Sequence, residues 1–570
     1  MSKYPLIDDK EFYDKINKIY KQYKISKKTE TIETYCKPKE FTLQKPQQFL
    51  PEYINPKTPY KSILIYHRIG AGKTCSAIQI AEQWKKYRKI VFVLPASLKG
   101  NFKNELRSLC GGNNYLTAEE RKKLAKYTPK DKEYIDIIAK SDARIKQYYN
   151  IYSYNKFIEL VREDKIKLTN SVLIIDEIQN MVSETGTYYS ELHKLIHTKK
   201  YNDLRVVLLS ATPIFDKPVE IALTMNLLNP SPEIPTGNAF NKMFISEKEI
   251  NGKMQYSVKN MDIFKNMIKG YISYYMGAPA FTFPVMTIKY IECEMSDFQY
   301  STHKKILKKE PYYKLSKNKI VDASDLPNNF YLGARFTSNI VYPNKKIDEH
   351  GFVSFTTYKI RENLGKYSCK MDKMITNIRR SKGKIFIYSG FKEYAGLKMM
   401  VKVLEAFGYK DYREYGEGRR RFAVWSGDES AEIKDEIREI YNRNNNIYGE
   451  RLKIILGSPS IKEGVSLKAV RYVHILEPYW NQSRLEQVIG RASRFCSHIS
   501  LPEDERNVKV YVYIATHPEI DVTVDQYIKK LSEQKNKIIR QFETAIKEAA
   551  VDCRLNLLAN NTDEQNITCL

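Results

Sequence analysis

The chain is predicted to be α/β, built from two successive domains that each carry a parallel sheet. Three observations predict this. Short runs of Val, Ile and Leu alternate with helical patterns up to about residue 230, and the alternation resumes near residue 371. These runs are apolar throughout, as expected of parallel strands buried on both faces. At 570 residues the chain exceeds what one core can fill, so two to four domains are expected.

Composition narrows the function. The net charge of +27, from 94 Lys+Arg against 67 Asp+Glu, favours a polyanionic partner through counterion release. A Lys-rich composition bias is the competing explanation. No apolar run approaches the ~18 residues of a membrane span, so no membrane partner is expected. The N-terminus has no apolar signal core. Eight cysteines are scattered without a C-x-x-C pair, which suggests neither a disulfide framework nor a zinc site. A reducing, intracellular setting fits best.

Residues 1–40 read as a basic N-terminal arm, with a weak amphipathic helix from Asp9 to about Tyr23 and a linker over Lys27–Lys39. The first α/β domain is expected over 41–245. Its first run, Ser62–Tyr66, leads into His67-Arg68-Ile69-Gly70-Ala71-Gly72-Lys73-Thr74. A helical pattern follows through Ala77, Ile78, Ala81 and Trp84. Strand, glycine loop, Lys-Thr and helix together read as a phosphate-binding loop, with backbone N–H groups turned towards an anion. Lys73 would reach the phosphates and the Thr74 hydroxyl would hold Mg²⁺. The general pattern has glycine where His67 stands. Just upstream, a glutamine amide can read an adenine edge. The Pro-x-Gln spacing favours Gln48, with Gln47 a close competitor.

The next runs are Ile90–Leu94, Val172–Ile175 and Val206–Leu209. Each ends in polar residues: Pro95-Ala96-Ser97, Asp176-Glu177-Ile178-Gln179 and Ser210-Ala211-Thr212-Pro213. Ligands of such sheets sit at the C-terminal strand ends, so the four placements define one face. A carboxylate leaving a buried strand can hold Mg²⁺, and its neighbour can polarise the attacking water.

Residues 246–370 read as a linker or insertion. The aromatic stretch Lys269–Pro284 could stack on bases, but packing is favoured. Lys304–Lys319 is a charge-rich helical pattern. The second α/β domain is expected over 371–518, with runs Lys384–Tyr388, Phe422–Trp425, Lys453–Leu456, Tyr472–Leu476 and Val508–Ile514. It has no phosphate loop of its own. It does carry Gln487-Val488-Ile489-Gly490-Arg491-Ala492-Ser493-Arg494. On a helix, Gln487, Arg491 and Arg494 share one face and suit a γ-phosphate. Residues 519–570 form a tail of helical pattern.

The ordered set Gly-Ala-Gly-Lys-Thr, Asp-Glu-Ile-Gln, Ser-Ala-Thr-Pro, Gly464-Val465-Ser466 and Gln-Val-Ile-Gly-Arg-Ala-Ser-Arg resembles superfamily 2 helicases and translocases. Within that superfamily the chain looks most like the viral NTPases of poxviruses and other large cytoplasmic DNA viruses, of the nucleoside triphosphate phosphohydrolase I and early transcription factor small subunit type. Three stretches suggest it: Ser273-Tyr274-Tyr275 with Phe283-Pro284, Leu476–Asn481, and Lys547–Cys553. Many members have His where Gln179 stands.

The resemblance implies two tandem RecA-like domains with ATP between them. Gly70, Ala71, Gly72, Lys73, Thr74, Asp176 and Gly464 would bind ATP and Mg²⁺, and Glu177 would orient the water. Gln487, Arg491 and Arg494 would complete the site. Gln179, Ser210 and Thr212 would couple hydrolysis to nucleic acid, with strand contacts from Pro95, Ser97, Ser389 and Ser458. The implied function is an ATP-dependent helicase or translocase on DNA or RNA in viral transcription, located in host cytoplasm or virion. A viral RNA polymerase or transcription factor subunit is the implied partner. The alternative is an initiation or termination subunit that binds DNA and uses ATP as a switch.

Overall fold

The computed structural model describes residues 4–26, 31–37, 40–68, 70–128, 131–184, 186–201, 203–250, 253–310, 331–462, 465–562 and 565–570. The chain divides into two units, Met1–Ala280 with Ile538–Leu570, and Phe281–Lys537.

The first unit is organised on six strands: β1 (Ser62–His67), β2 (Lys89–Leu94), β3 (Tyr149–Ser153), β4 (Ser171–Ile175), β5 (Arg205–Ser210) and β8 (Ile272–Tyr275). A separate antiparallel hairpin pairs β6 (Ile245–Ile250) with β7 (Lys253–Val258). The sheet order is β3-β2-β4-β5-β1-β8 and every pairing is parallel. Side chains alternate between two cores, as the two-residue strand period requires. Leu64, Val91, Val93, Leu173, Ile175 and Leu208 face one. Ile63, Ile65, Phe92, Ile174, Val207 and Leu209 face the other. Burial on both faces explains why these runs carry no polar alternation.

The expected separation of arm, linker and tail differs from the observed packing. Phe12 and Ile16, on the helix Phe12–Ile19, are wholly buried in the core that holds Phe49, Tyr53 and Tyr60. The tail residues Phe542, Ile546, Ala549 and Ala550 join the other core of the same sheet. The Val551 N–H donates to the Ile272 carbonyl at 2.8 Å. The aromatic stretch supplies β8, with Tyr274 and Tyr275 buried, so packing rather than base stacking is its use. The disulfides Cys75–Cys110 and Cys553–Cys569 also depart from the expected free thiols.

The second unit contains β9 (Val285–Glu294), β10 (Lys384–Tyr388), β11 (Lys410–Asp411), β12 (Arg421–Trp425), β13 (Ile454–Gly457), β14 (Val470–Ile475) and β15 (Asn507–Thr516). Their order is β11-β12-β13-β10-β14-β15-β9, again all parallel. Here too alternate residues serve two cores, Ile385, Ile387 and Leu456 in one, Phe386, Tyr388 and Ile455 in the other. Of the charge-rich pattern Lys304–Lys319, residues 304–307 end the helix Asp297–Leu307, while 311–319 fall outside the described residues. Among the described residues, no helix is long and apolar enough to cross a membrane.

Candidate active site

The phosphate loop leaves β1 and enters the helix Lys73–Trp84 through Gly72, whose φ of 72° lies in the left-handed region that glycine adopts without strain. A Cβ there would also collide with the Gln47 side chain at 2.1 Å. Gln47, rather than Gln48, therefore sits against the loop. Its Nε2 donates to the Gly72 carbonyl at 3.3 Å, and its Oε1 accepts the Gln44 N–H. Gln48 instead donates to the Leu43 carbonyl at 2.7 Å. On the other side of the loop, Gly277 lies so near Ala71 that an added Cβ would come within 2.9 Å of the alanine methyl.

Lys73, Asp176 and Glu177 meet at the ends of β1 and β4. Lys73 Nζ donates to Glu177 Oε1 at 2.7 Å and lies 3.4 Å from Asp176 Oδ1. Burial alone would depress the ammonium, but Glu177 and Asp176 hold its pKa above the ordinary value. Burial pushes the Asp176 carboxyl up, against the pull of Lys73. Glu177 has a left-handed backbone, φ 51°, unusual for a residue with a side chain. Such strain persists where the surroundings enforce it. The Tyr154 hydroxyl does so, donating to the carbonyls of Asp176 at 2.5 Å and Glu177 at 3.1 Å.

A chain of hydrogen bonds continues from Glu177. Gln179 Nε2 donates to Glu177 Oε2 at 2.7 Å, and Ser210 Oγ donates to Gln179 Oε1 at 2.7 Å. The Thr212 N–H donates to Ser210 Oγ at 3.0 Å. Phosphate loop, Asp-Glu turn and Ser-Ala-Thr segment are thus one connected network. Pro95 is buried at the end of β2, and Ser97 is exposed two residues on.

In the second unit, Ser389 and Ser458 do not face solvent. Ser389 is fully buried and its hydroxyl donates to Glu477, with contacts at 2.9 and 3.1 Å. Ser458 is 3% exposed and pairs with Ser460 at 2.8 Å. Both hydroxyls are thus engaged by neighbouring side chains. Glu477 emerges as the organiser of the β10 and β14 ends, accepting also from the Gly390 N–H and from Asn339 Nδ2. The helix Gln482–Ile489 stops before the arginines, so Gln487 is helical while Arg491 and Arg494 lie on the following turns. The shared helical face expected of the three is absent. Gly464 lies outside the described residues.

The residues present fit a nucleoside triphosphate with a divalent cation. One lysine faces two carboxylates, which leaves net negative charge beside an N-terminal helix turn. A cation placed at Asp176 and Thr74 would balance it.

Tandem RecA-like domains with a lysine–carboxylate site at the strand ends define the class of helicase-type ATPases. A model described as the SNF2-related domain matches residues 31–343, and the helicase conserved C-terminal domain matches 369–496. The chain belongs to the SNF2-related helicase family. It is 50% identical, over 99% of both chains, to a protein of Acanthamoeba polyphaga mimivirus named as a candidate ATP-dependent RNA helicase, R563. It is also 25% identical to a termination factor NPH-I homologue of African swine fever virus (isolate Warthog/Namibia/Wart80/1980), over 87% of this chain and 77% of that one. The solved helicase domain of Pyrococcus furiosus Hef aligns with a TM-score of 0.41 and 15% identity, over 82% of this chain and 94% of that one.

Proposed function

We propose that the protein hydrolyses ATP with Mg²⁺ and uses the energy to move along DNA or RNA during viral transcription. The observation that carries this is the continuous chain Lys73–Glu177–Gln179–Ser210. When bound, Mg²⁺ neutralises phosphate charge and orients the scissile bond, with Thr74 and Asp176 as its protein ligands. Lys73 at present occupies one oxygen of Glu177. Moving its Nζ to a phosphate frees that oxygen to accept a hydrogen from the attacking water. The change at Glu177 then reaches Ser210 through Gln179, which couples the nucleotide to the strand-binding face. Gln47 is the better placed of the two glutamines to read adenine. Gln487, Arg491 and Arg494 are assigned to the γ-phosphate, where planar donors favour developing negative charge. Gly464 and Ser97 keep their proposed places at nucleotide and strand.

The relative named as a termination factor supports a role in transcription; host cytoplasm or virion as the location, and a viral RNA polymerase or transcription factor subunit as the partner, are part of the same proposal. The decisive measurement is ATP turnover with single-stranded DNA, duplex DNA or RNA, together with displacement of a labelled strand. Stimulation without displacement assigns a translocase, and stimulation with displacement a strand-separating helicase. ATP turnover indifferent to all three would overturn the reading.

A further inference from the structure

Away from the nucleotide site, His193 and His197 lie one turn apart on the helix Thr187–His197, so both project from one face. Their rings stack at 4.0 Å and 16° from parallel, so one ring turns about its Cβ–Cγ bond before both in-plane lone pairs can meet at one ion. Glu233, from the segment after the helix Glu220–Asn226, reaches both: its Oε2 lies 3.2 Å from His193 Nε2 and its Oε1 3.0 Å from His197 Nδ1. One potential ligand atom from each residue falls within 4.8 Å of the others.

The hydrogen-bond balance of this cluster does not close with neutral rings. His197 Nε2 is 2.9 Å from the backbone carbonyl of Asn226. A carbonyl only accepts, so Nε2 carries the hydrogen and a neutral ring presents a lone pair at Nδ1. Glu233 Oε1 is also an acceptor. Two acceptors 3.0 Å apart repel unless positive charge lies between them. A second proton on His197 supplies it, and so does a metal ion.

We propose that His193, His197 and Glu233 bind one divalent transition-metal ion, with zinc the best match. Two imidazoles and a carboxylate are a zinc ligand set that leaves a fourth position to water. The His197 bond to Asn226 is the arrangement that fixes the tautomer of a metal-binding imidazole. The arm carrying Glu233 is held in place, because Asn226 Nδ2 donates to the Ile234 carbonyl and Asn226 Oδ1 accepts the Ile234 N–H, both at 2.9 Å. The three side chains are 31, 19 and 45% exposed, which gives an ion a path in. Bound metal would fasten the helix that follows the Asp176–Glu177 turn to the segment that follows the Ser-Ala-Thr strand end.

The test uses the untagged full chain, stripped with a chelator and kept without nucleotide or reductant so that the disulfides stay closed. Titration with Co²⁺ should show one equivalent with visible absorption of a nitrogen–oxygen site, displaced by Zn²⁺. Zn²⁺ should also raise the melting temperature. His193→Ala with His197→Ala should abolish the spectrum. Glu233→Gln, a half-exposed change that spares the fold, should weaken binding by at least tenfold. Equal cobalt binding in wild type and the double variant would overturn the proposal. So would the absence of binding at about 100 μM metal, leaving His197 as an imidazolium on Glu233.

Discussion

The Ser273 hydroxyl donates to Asp552 Oδ2 at 2.6 Å, tying the middle of β8 to the C-terminal segment. Because its hydrogen goes to Asp552, the same oxygen accepts from His67 Nε2 at 2.9 Å. Asp552 Oδ1 takes the Tyr274 N–H at 2.9 Å. A buried chain thus runs from the first residue of the phosphate loop to a residue almost five hundred positions later. It gives a physical reason for histidine where the general pattern has glycine: the ring is fully buried and anchored through β8. Asp552→Ala would strand the Ser273 hydroxyl and the Tyr274 N–H, at about 1–3 kcal/mol for each buried group. A lowered melting temperature and weaker ATP binding are expected, measured by thermal denaturation and by titration with a fluorescent nucleotide. Unchanged ATP affinity in the folded variant would show that the loop does not depend on the tail.

The same carboxyl makes stability depend on pH in a defined window. Burial pushes Asp552 from 3.8 up to about 6. Between those values the folded chain keeps the proton that the unfolded chain has lost, so stability falls as pH rises from about 4 to 6 and then levels off. Two pH units correspond to about 3 kcal/mol for this one group. Asp552→Asn removes the slope. His67, held down to about 3 by burial and then by Lys73, contributes in the opposite sense to both proteins and cancels in the comparison. The check is the difference in unfolding free energy between variant and wild type from pH 4 to 7, which should move in the variant's favour as pH rises.

The apolar strand runs were legible because each is buried on both faces, and all nine expected runs became strands. β3 and β8 were hidden by composition: Tyr149–Ser153 and Ile272–Tyr275 mix aromatic and hydroxyl side chains. β9 escaped notice because it is exposed along most of its length and mixes polar with apolar residues. In the site, Lys73, Asp176 and Glu177 were readable from their places after apolar runs. Gln47 was readable only as the competitor of Gln48, and Tyr154 and Glu477 were not readable, since their roles arise from contacts across 22 and 88 positions. Ser389 and Ser458 were readable as polar strand ends, but not the bonds their buried hydroxyls make to Glu477 and Ser460.

Glu177→Gln should retain ATP binding and lose turnover by at least about a hundredfold, the usual scale of a positioned base. The neutral amide still accepts from Lys73, so the loop geometry survives. Turnover near the wild-type rate would remove Glu177 from the role of water-orienting residue. Equilibrium binding and single-turnover hydrolysis separate the two effects.

Gln179→Ala cuts the network between Glu177 and Ser210 without touching either end. Basal hydrolysis should persist, while stimulation by nucleic acid falls several-fold. Ser210→Ala, which removes the donor to Gln179 Oε1, should give the same phenotype, and the double variant should be no worse than either single one. Additive losses would mean that the two residues act separately. The measurement is ATPase rate against nucleic-acid concentration for the three variants.

Cys75 stands directly after Thr74, and its bond to Cys110 pins the first turn of the helix that receives the phosphates. The two sulfurs join residues 35 positions apart, so closing that loop in the unfolded chain contributes about 4 kcal/mol by the chain-entropy estimate. Both cysteines are nearly inaccessible, at 2 and 4% exposure, so opening the bond leaves two thiols packed in the same core. The folded state is then nearly unchanged and the loss falls on the unfolded side. Reduction, or Cys110→Ser, should lower the melting temperature of the first unit by several degrees while ATP affinity at low temperature stays within about twofold. Differential scanning calorimetry with and without reductant reads the first quantity and nucleotide titration the second. A melting temperature indifferent to reductant, with free thiols confirmed by labelling, would show that the bond does not hold this helix.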